Sequence, residues 1–386
     1  MSRCALVVDD VIPRSGWGSG YPRSAQIVRA LARCSDEVDV CALQENPGPD
    51  AAADSFPSNV RSVAGYGYEA FQSALRAVNG RLGLLWIGRP HNLAKVFLAH
   101  QMWPRLFAGV RIVYDAEAVS ASRTIMERDL GGGQPMTRLQ RRVLLRDELR
   151  PTEIAHAIVC VSQLEQQLIR DVTGRTPAIV AAAAEIAETP ASFSDRRDFV
   201  FLGALWNSQS PNADSVRFFV ECVLPIIVRR SDAKLRIAGS GSDQAAWLQS
   251  IAGSRVEIAG PIDDLAELFG QARVFVAPTR YAGGIPQKVI DAARHGVPVA
   301  GTGLIAAQLG WRDGQELRVA DEPALMAEAC LALYEDQGLW KRIRSTALAA
   351  VRRDFDPAAF DSAVALAAWG PIDAPSGSGA TLPAPA

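Results

Sequence analysis

The residues whose types and spacing best suit a binding or catalytic role lie in 277–300. There a short apolar run leads into glycines and then into a helical pattern. We expect a strand to end at Pro278, a turn to follow with Gly283 and Gly284, and a helix to begin near Pro286, a residue suited to the first helical position. Glycines before a helix expose backbone N–H groups at the positive end of the helix dipole. The turn therefore predicts a phosphate site.

Two basic side chains add fixed charge to this turn. Arg280 enters it and Lys288 lies in the first helical turn, a combination that suits the diphosphate of a nucleotide. Asp291 lies one turn after Lys288 on the same helix face, where a carboxylate can accept hydrogen bonds from both hydroxyls of a ribose. The alternative is an ordinary strand-turn-helix unit with a surface Lys–Asp pair. The convergence of these residues on one helix start favours the phosphate site.

From Pro278 to Val299 the sequence resembles the motif P-T-R-F-x-x-G-I-P-x-K-x-x-E-A-A-x-x-G-V-P-V. This motif belongs to the retaining, nucleotide-sugar-dependent glycosyltransferases of the GT-B fold, the family-four or "group 1" class. Weaker similarity extends over nearly the whole chain outside its C-terminal tail. Within the class, the chain looks most like bacterial enzymes of O-antigen and surface-polysaccharide synthesis. The resemblance implies transfer of a sugar from a nucleoside-diphosphate sugar to a glycan or lipid-linked glycan, with retention of configuration.

The resemblance also implies donor contacts. Asp291 would hold the ribose, where the class has glutamate, and the first glutamate of the class falls at Gly283. Its role near the donor sugar would pass to the backbone amides of Gly283, Gly284 and Ile285. The Arg/Lys pair of the class would fall in 204–212, which has no basic residue, so Arg280 and Lys288 are expected to replace it. The base is expected to contact the backbone of Gly260, Pro261 and Ile262.

A glycine-rich loop, Gly16–Arg23, follows the first expected strand and should face the same cleft. Gly18 and Gly20 would allow close approach of a ligand to the backbone. Arg23, at the start of a helix, would contact a phosphate or be solvated. The loop lacks the G-x-G-x-x-G spacing of a dinucleotide fingerprint, and no acidic residue ends the second strand. The sequence therefore does not predict a nicotinamide-dependent oxidoreductase.

Three further residues follow strand ends and are candidate catalytic groups. His91 lies where the related class often has a histidine near the donor sugar; the alternative is a plain loop histidine. Asp115 and Glu117 end the next strand along the chain and should point into the cleft. There a carboxylate would orient acceptor hydroxyls or stabilise a cationic sugar. The alternative for this pair is capping of the next helix, for which Asp115 is the better candidate.

Strands alternate with helical patterns along the chain, which predicts parallel sheets in doubly wound α/β domains. Expected strands include 3–8, 38–43, 82–88, 111–114 and 154–161, and then 198–202, 234–238, 256–259, 274–277 and 297–301. We expect an N-terminal domain over 1–185, a nucleotide-sugar domain over 198–355, a helix over 356–370 that crosses back, and a disordered tail over 371–386. Two such domains place the site in the cleft between them.

Composition excludes several classes of function. The chain has 386 residues and a net charge of -2, which gives no electrostatic footprint for nucleic acid. Its six cysteines and four histidines lack the spacing of a zinc site. The cysteines are scattered singly along the chain, which indicates that the protein is in a reducing cytoplasm. We expect no transmembrane helix or signal peptide, and contact with the inner membrane only through a lipid-linked acceptor.

No cofactor or metal is expected beside the nucleotide sugar, because Arg280, Lys288 and a helix dipole would stabilise the leaving diphosphate. Asp354-x-Asp356 resembles the metal motif of the other glycosyltransferase fold, but it falls in a helical region. Two other functions stay open. One is a non-catalytic nucleotide-sugar-binding or scaffold domain, and the other is a GT-B sugar-nucleotide epimerase or hydrolase.

Overall fold

The computed structural model describes residues 3–14, 20–45, 56–186, 191–262 and 264–371. Gly18 and residues 372–386 of the expected tail lie outside the described residues. The first half of the chain forms a seven-stranded, all-parallel sheet in the order β3-β2-β1-β4-β5-β6-β7. Its strands are β1 (Cys4–Asp9), β2 (Glu37–Ala42), β3 (Val60–Ser62), β4 (Leu82–Gly88), β5 (Arg111–Ala116), β6 (Ala157–Cys160) and β7 (Ala178–Ile179).

The second half forms a six-stranded, all-parallel sheet in the order β10-β9-β8-β11-β12-β13. Its strands are β8 (Arg197–Leu202), β9 (Leu235–Ala238), β10 (Val256–Gly260), β11 (Ala272–Ala277), β12 (Val299–Gly301) and β13 (Arg318–Val319). Most of these strands are buried on both faces, which is why they read as continuous apolar runs. The predicted fold class, two doubly wound α/β units, is confirmed.

Helices cover the faces of both sheets. Those of the first half are α1 (Tyr21–Cys34), α2 (Gly67–Ala77), α3 (Pro90–Met102), α4 (Ser120–Leu130), α5 (Arg138–Leu149) and α6 (Gln163–Thr173). Those of the second half are α7 (Pro211–Phe218), α8 (Leu224–Ile227), α9 (Ala246–Gln249), α10 (Leu265–Gln271), α11 (Gln287–Arg294), α12 (Gly303–Leu309), α13 (Pro323–Glu335), α14 (Gln337–Asp354) and α15 (Pro357–Trp369). Within the described residues, no helix is long and apolar enough to cross a membrane.

Two helices after strands have boundaries set by local sequence. Helix α3 begins at Pro90, and a separate 3-10 turn follows it over Pro104–Phe107. Helix α7 begins at Pro211 because the Ser210 side chain caps it. A π-helical turn, Phe219–Val223, then joins α7 to α8.

The last helix, α15, returns to the first sheet as the fold class predicts. It packs on α1 and contacts strands β4 to β7. The Trp369 indole donates to the Ser35 hydroxyl at 3.2 Å, and the Arg111 guanidinium donates to the Ala367 carbonyl at 2.9 Å. These contacts tie the C-terminal end of the described chain to the first sheet.

The strand order reverses once in each sheet, between β1 and β4 in the first and between β8 and β11 in the second. In open parallel sheets, ligands bind outside the carboxyl ends of the strands at such switch points. The two positions to search for a site are therefore the loops after β1 and β4, and the loops after β8 and β11.

Candidate functional site

At the switch point of the first sheet, charged residues from the ends of β1 and β4 form one cluster. Arg89 donates from Nε to Asp9 Oδ1 at 2.8 Å, and the same nitrogen lies 3.5 Å from Asp10 Oδ2. Asp10 also accepts hydrogen bonds from His91 Nε2 and from the Asn92 amide, the latter at 2.9 Å. Burial alone would raise the pKa of Asp10, but the His91 hydrogen bond and the Arg89 charge lower it below its usual value.

Glu117 completes this cluster from the loop after β5. Its Oε2 lies 3.5 Å from Arg89 Nη2, and its carboxylate is packed on the backbone of Gly20. Gly20 has a φ of 85°, and a Cβ there would lie 1.3 Å from Glu117 Oε1, so only glycine leaves room for this carboxylate. Burial raises the pKa of Glu117 to about 7, although Arg89 and Arg23 oppose that shift. Glu117 can thus hold or release a proton near neutral pH.

Arg23 and Asp115 do not reach the cleft in the way the sequence suggests. They form a buried ion pair at 2.9 Å, and the Arg23 Nη2 donates to the Val180 carbonyl at 2.7 Å. The Trp86 indole donates to the same Asp115 oxygen at 3.2 Å. The expected phosphate contact of Arg23 is therefore corrected to a structural ion pair. Asp115 is also not the expected cap of the next helix, because its carboxylate binds Arg23 and Trp86.

His91 is neither a loop residue nor buried. It is the second residue of α3, and its side chain is 49% exposed while it contacts Asp10. The structure thus places His91 at the first switch point beside Asp10 and leaves it accessible. Its catalytic role stays a prediction.

Lys288 lies at the switch point of the second sheet, in the first turn of α11. Its ammonium donates to the Asn212 side-chain oxygen at 2.6 Å and lies 4.5 Å from the centre of the Phe201 ring. Within the described parts of the chain, no carboxylate pairs with it. Burial in this setting lowers the pKa of Lys288 to about 7. An ammonium held there is uncompensated, and a bound anion would restore its charge.

Arg280, the second expected diphosphate ligand, is already paired. Its Nε and Nη2 both donate to the Asp214 carboxylate of α7, Nε at 3.0 Å, and the guanidinium lies over the Phe218 ring. A carboxylate from the same half of the chain thus neutralises Arg280 in this structure, and its expected contact with the donor diphosphate stays a prediction.

Asp291 contacts the other end of its own helix. Its Oδ1 accepts from Arg294 Nε at 2.9 Å, three residues on, while Lys288 bonds to Asn212. The alternative of a surface Lys288–Asp291 pair is thus wrong. Burial raises the pKa of Asp291, although Arg294 lowers it. The carboxylate is mostly buried, and its ribose role stays a prediction.

The turn that precedes α11, which we call the donor loop (Gly283–Ile285), meets the first half of the chain. Gly284 has a φ of 79°, and a Cβ on it would lie 2.8 Å from the carbonyl oxygen of Glu117. A Cβ on Gly283 would lie 3.2 Å from the Ala118 side chain. The Gly284 N–H donates to Glu165 Oε1, at 2.9 Å. The two glycines therefore serve a close contact between the two halves, and one of the three expected diphosphate amides is occupied by a carboxylate.

The expected base contacts lie at the end of β10. Gly260 ends that strand with a φ of 78°, and its carbonyl accepts from the Gly239 N–H at 2.9 Å. Pro261 is exposed and Ile262 packs on the core of the second half. Trp206 lies nearby, 64% exposed, with its ring where a Cβ on Gly241 would be. The base contact itself stays a prediction.

Sequence reasoning missed the partners that complete these clusters. Asp9, Asp10 and Arg89 follow strands β1 and β4, and this position at the carboxyl end of a strand was a usable signal. Glu165 lies in the first turn of α6, directly after β6, and is 4% exposed. Asn212 carries no such signal because only the fold brings it to Lys288.

A polar cavity of about 380 Å³ opens between the two halves. Glu127 of α4 lines one side, and Ser208–Ser210, Asp214 and Tyr281 line the other. Among the described residues, no three His, Cys, Asp or Glu side chains come together as metal ligands. Asp354 accepts from the Trp311 indole at 3.1 Å, and Asp356 caps α15. Both aspartates of the Asp354-x-Asp356 pair therefore have structural partners.

Comparisons with known proteins agree with this architecture. The family model for glycosyl transferases group 1 matches residues 196–336. No curated protein matches the chain. Sucrose-phosphate synthase from Thermosynechococcus elongatus shares the fold with a TM-score of 0.70 at 15% identity, over 93% of this chain and 96% of that one.

Two further solved structures cover nearly all of this chain. HepE from Anabaena, in complex with UDP-glucose, has a TM-score of 0.67 at 16% identity, over 94% of this chain and 98% of its own. The lipopolysaccharide outer core galactosyltransferase WaaB has a TM-score of 0.61 at 11% identity, over 95% and 98%. Residues 196–336 thus match the family of group 1 glycosyl transferases, and the chain as a whole shares the two-domain GT-B fold of these solved structures.

Proposed function

We propose that the protein transfers a sugar from a nucleoside-diphosphate sugar to a hydroxyl of a glycan acceptor, with retention of configuration and without a metal ion. The observation that carries the proposal is the position of the Lys288 ammonium and the lack of charge on its partner. This ammonium lies at a switch point beside the donor loop, and among the described residues its bond is to the neutral Asn212 amide. A diphosphate supplies the missing negative charge. HepE, which shares the fold, binds UDP-glucose and supports a nucleotide sugar as donor.

The two switch points divide the work of the reaction. The bond between the anomeric carbon and the diphosphate oxygen breaks, and Lys288 stabilises the charge that develops on the leaving group. The acceptor hydroxyl forms the new bond to the same carbon on the face that the diphosphate leaves, as retention requires. Its proton passes to a basic oxygen, for which the ionised Glu117 carboxylate is our candidate because its pKa is about 7. His91, which is exposed beside Asp10, is our candidate for orienting the sugar.

The acceptor is proposed to be a bacterial surface glycan, as the resemblance implies, and a lipid-linked one would be met at a membrane. Helix α5 carries a fitting surface. Leu139 and Val143 are exposed on it, and so are Arg142 and Arg146, each of which lies three positions after one of them in the same helix. Arginines around exposed apolar side chains suit an anionic lipid surface. Co-sedimentation with anionic vesicles, lost when Arg142 and Arg146 become glutamate, tests this contact.

The donor site is tested by thermal shift with UDP, GDP, dTDP, CMP and NAD, comparing wild type with Lys288→Met. A ligand that binds only the folded protein raises the melting temperature. We expect one nucleoside diphosphate to stabilise the wild type. Its Kd should rise about 10- to 100-fold in Lys288→Met, since a charged hydrogen bond contributes about 1.5–3 kcal/mol.

Lys341→Met is the matched control, since Lys341 is an exposed lysine of α14 in the same half of the chain. This variant should bind the nucleotide as the wild type does. If no nucleotide stabilises the wild type, or if Lys288→Met responds like Lys341→Met, the donor site is misplaced. Activity with a nucleotide sugar then separates a transferase from a binding domain.

A further inference from the structure

One carboxylate of the first half holds the donor loop of the second half. Glu165 Oε1 accepts from the Val119 N–H at 3.1 Å and from the Gly284 N–H at 2.9 Å. Val119 precedes α4 and Gly284 precedes α11, so a single oxygen bridges loops that belong to different sheets. The Glu165 backbone is fixed in turn, because its N–H donates to the Ser162 hydroxyl that caps α6.

A second glutamate shows what a purely local contact looks like. Glu148 of α5 accepts from the Ser120 N–H at 2.8 Å through one oxygen and from the Ala121 N–H at 2.6 Å through the other. Both N–H groups are at the start of α4, so Glu148 satisfies the free donors of that helix. Glu165 contacts the same loop, but its second partner is across the cleft.

The bridging contact is incomplete on the Glu165 side. Its Oε2 is buried and finds no hydrogen-bond partner among the described residues. Burial raises the pKa of Glu165 to about 7, although the two N–H groups and Arg23 oppose that shift. A half-satisfied buried carboxylate costs free energy, and a diphosphate offers the same N–H more charge and more acceptor oxygens. The contact is therefore one that a ligand can replace.

We propose that Glu165 is a positioning residue that holds the Gly284 amide, and with it the donor loop, until the diphosphate of the donor takes that amide. This inference rests on the proposed function, since it takes Gly284 as a diphosphate ligand. The free protein then spends most of its time with the loop occupied by Glu165. The observed Kd of the donor exceeds its intrinsic value by the inverse of the fraction that is released.

Three variants test the inference through hydrogen exchange of the Gly284 amide. Glu165→Ala should speed that exchange about tenfold or more, because the protecting acceptor is gone. Glu165→Gln keeps an oxygen that can accept the same N–H groups and should largely retain the protection. Glu148→Ala should expose Ser120 and Ala121 and leave Gly284 unchanged, which controls for general loosening of the loop before α4.

Binding of UDP to the same proteins tests the displacement. We expect Glu165→Ala to bind UDP about threefold more tightly than wild type or more, because no loop contact must first be broken. Glu148→Ala should not gain affinity, and UDP should restore protection of Gly284 in Glu165→Ala. If Gly284 exchanges at the same rate in Glu165→Ala and wild type, or if Glu165→Ala binds UDP no better than wild type, the inference is overturned.

Failure of the proposed function looks different. In that case no nucleoside diphosphate of the panel stabilises even the wild type, and the displacement step falls with the donor site. The exchange pattern of Gly284 across the three variants still decides whether Glu165 positions the donor loop.

Discussion

The switch points of the two sheets carry their charges in opposite ways. We call the one between β1 and β4 the first or acceptor edge, and the one between β8 and β11 the second or donor edge. At the first, Asp9, Asp10 and Glu117 surround Arg89, so positive and negative groups meet within the protein. At the second, the Lys288 ammonium bonds to the neutral Asn212 side chain. An edge where several carboxylates share one arginine offers hydrogen-bond acceptors to an uncharged ligand rich in hydroxyls, whereas an ammonium whose described partners are an amide and an aromatic ring suits an anion.

The comparison also orders the two edges in time. At the first edge the charged groups already contact one another, and the Glu117 carboxylate is packed against Gly20. Among the described residues, no carboxylate at the second edge pairs with Lys288. We infer that the acceptor edge is preorganised and that the donor edge reaches its stable charge state only when the nucleotide binds.

The largest expected effect comes from removing Arg89. Arg89→Met leaves Asp9, Asp10 and Glu117 buried without their common cation, which should lower the free energy of unfolding by about 3–5 kcal/mol. Arg280→Met is the contrasting variant, because the Arg280 side chain is 35% exposed in its pair with Asp214. It should cost about 1 kcal/mol or less. Denaturant unfolding measures both changes.

A second substitution sharpens the Arg89 prediction. Asp9→Asn in the Arg89→Met background should recover part of the loss, because it removes one of the carboxylates left unpaired. Equal costs for Arg89→Met and Arg280→Met would show that the first edge is not held by its charges.

The next effect concerns the contact between the two edges. Gly284→Ala would place a Cβ 2.8 Å from the Glu117 carbonyl in a left-handed backbone conformation. The carbonyl oxygen is part of the backbone and cannot rotate away as the end of a side chain can. The donor loop must therefore move away from the first sheet. We expect a loss of about 2–4 kcal/mol from strain and overpacking combined.

Gly132→Ala is the matched control for this substitution. Gly132 has a φ of 70° and open space around its Cβ position, so it carries the backbone strain alone. The difference in melting temperature between the two variants measures the contact. If Gly284→Ala and Gly132→Ala behave alike, the two edges are not pressed together in solution.

The sequence predicted where each edge lies better than how its residues pair. Apolar runs with polar ends located β1, β4, β8 and β11, because buried parallel strands leave a direct compositional signal. The turn before α11 was likewise readable from Gly283, Gly284 and Pro286. Two-residue strands such as β7 and β13 leave no such pattern, and neither was predicted.

The partners of the charged residues could not be predicted, for a physical reason. Arg280 meets Asp214 over 66 positions, Arg23 meets Asp115 over 92, and Gly284 meets Glu165 over 119. The type of one residue says nothing about a partner that only tertiary folding brings near. Short-range rules therefore placed Arg23 and Arg280 at a phosphate, while the folded chain gives each a carboxylate.

The smallest expected effect distinguishes the two basic residues of the donor edge by their titration. Burial lowers the pKa of Lys288 to about 7, so the free protein loses this charge as the pH rises above 7. A diphosphate binds the protonated form, and binding must then take up a proton. We expect the Kd of the nucleotide to rise by up to about tenfold per pH unit between pH 7 and 9, a range above the second ionisation of phosphate near 6.

Two variants isolate the source of that slope. Arg280→Met should weaken or preserve binding but retain the slope, because an arginine stays charged throughout this range. Lys288→Met should bind weakly at every pH and show no slope. Without nucleotide, the unfolded chain binds more protons at position 288 between pH 7 and 10.5, so Lys288 makes the free energy of unfolding rise with pH in that window. A flat Kd in the wild type would mean that nucleotide binding does not change the protonation of Lys288, which contradicts the expected proton uptake.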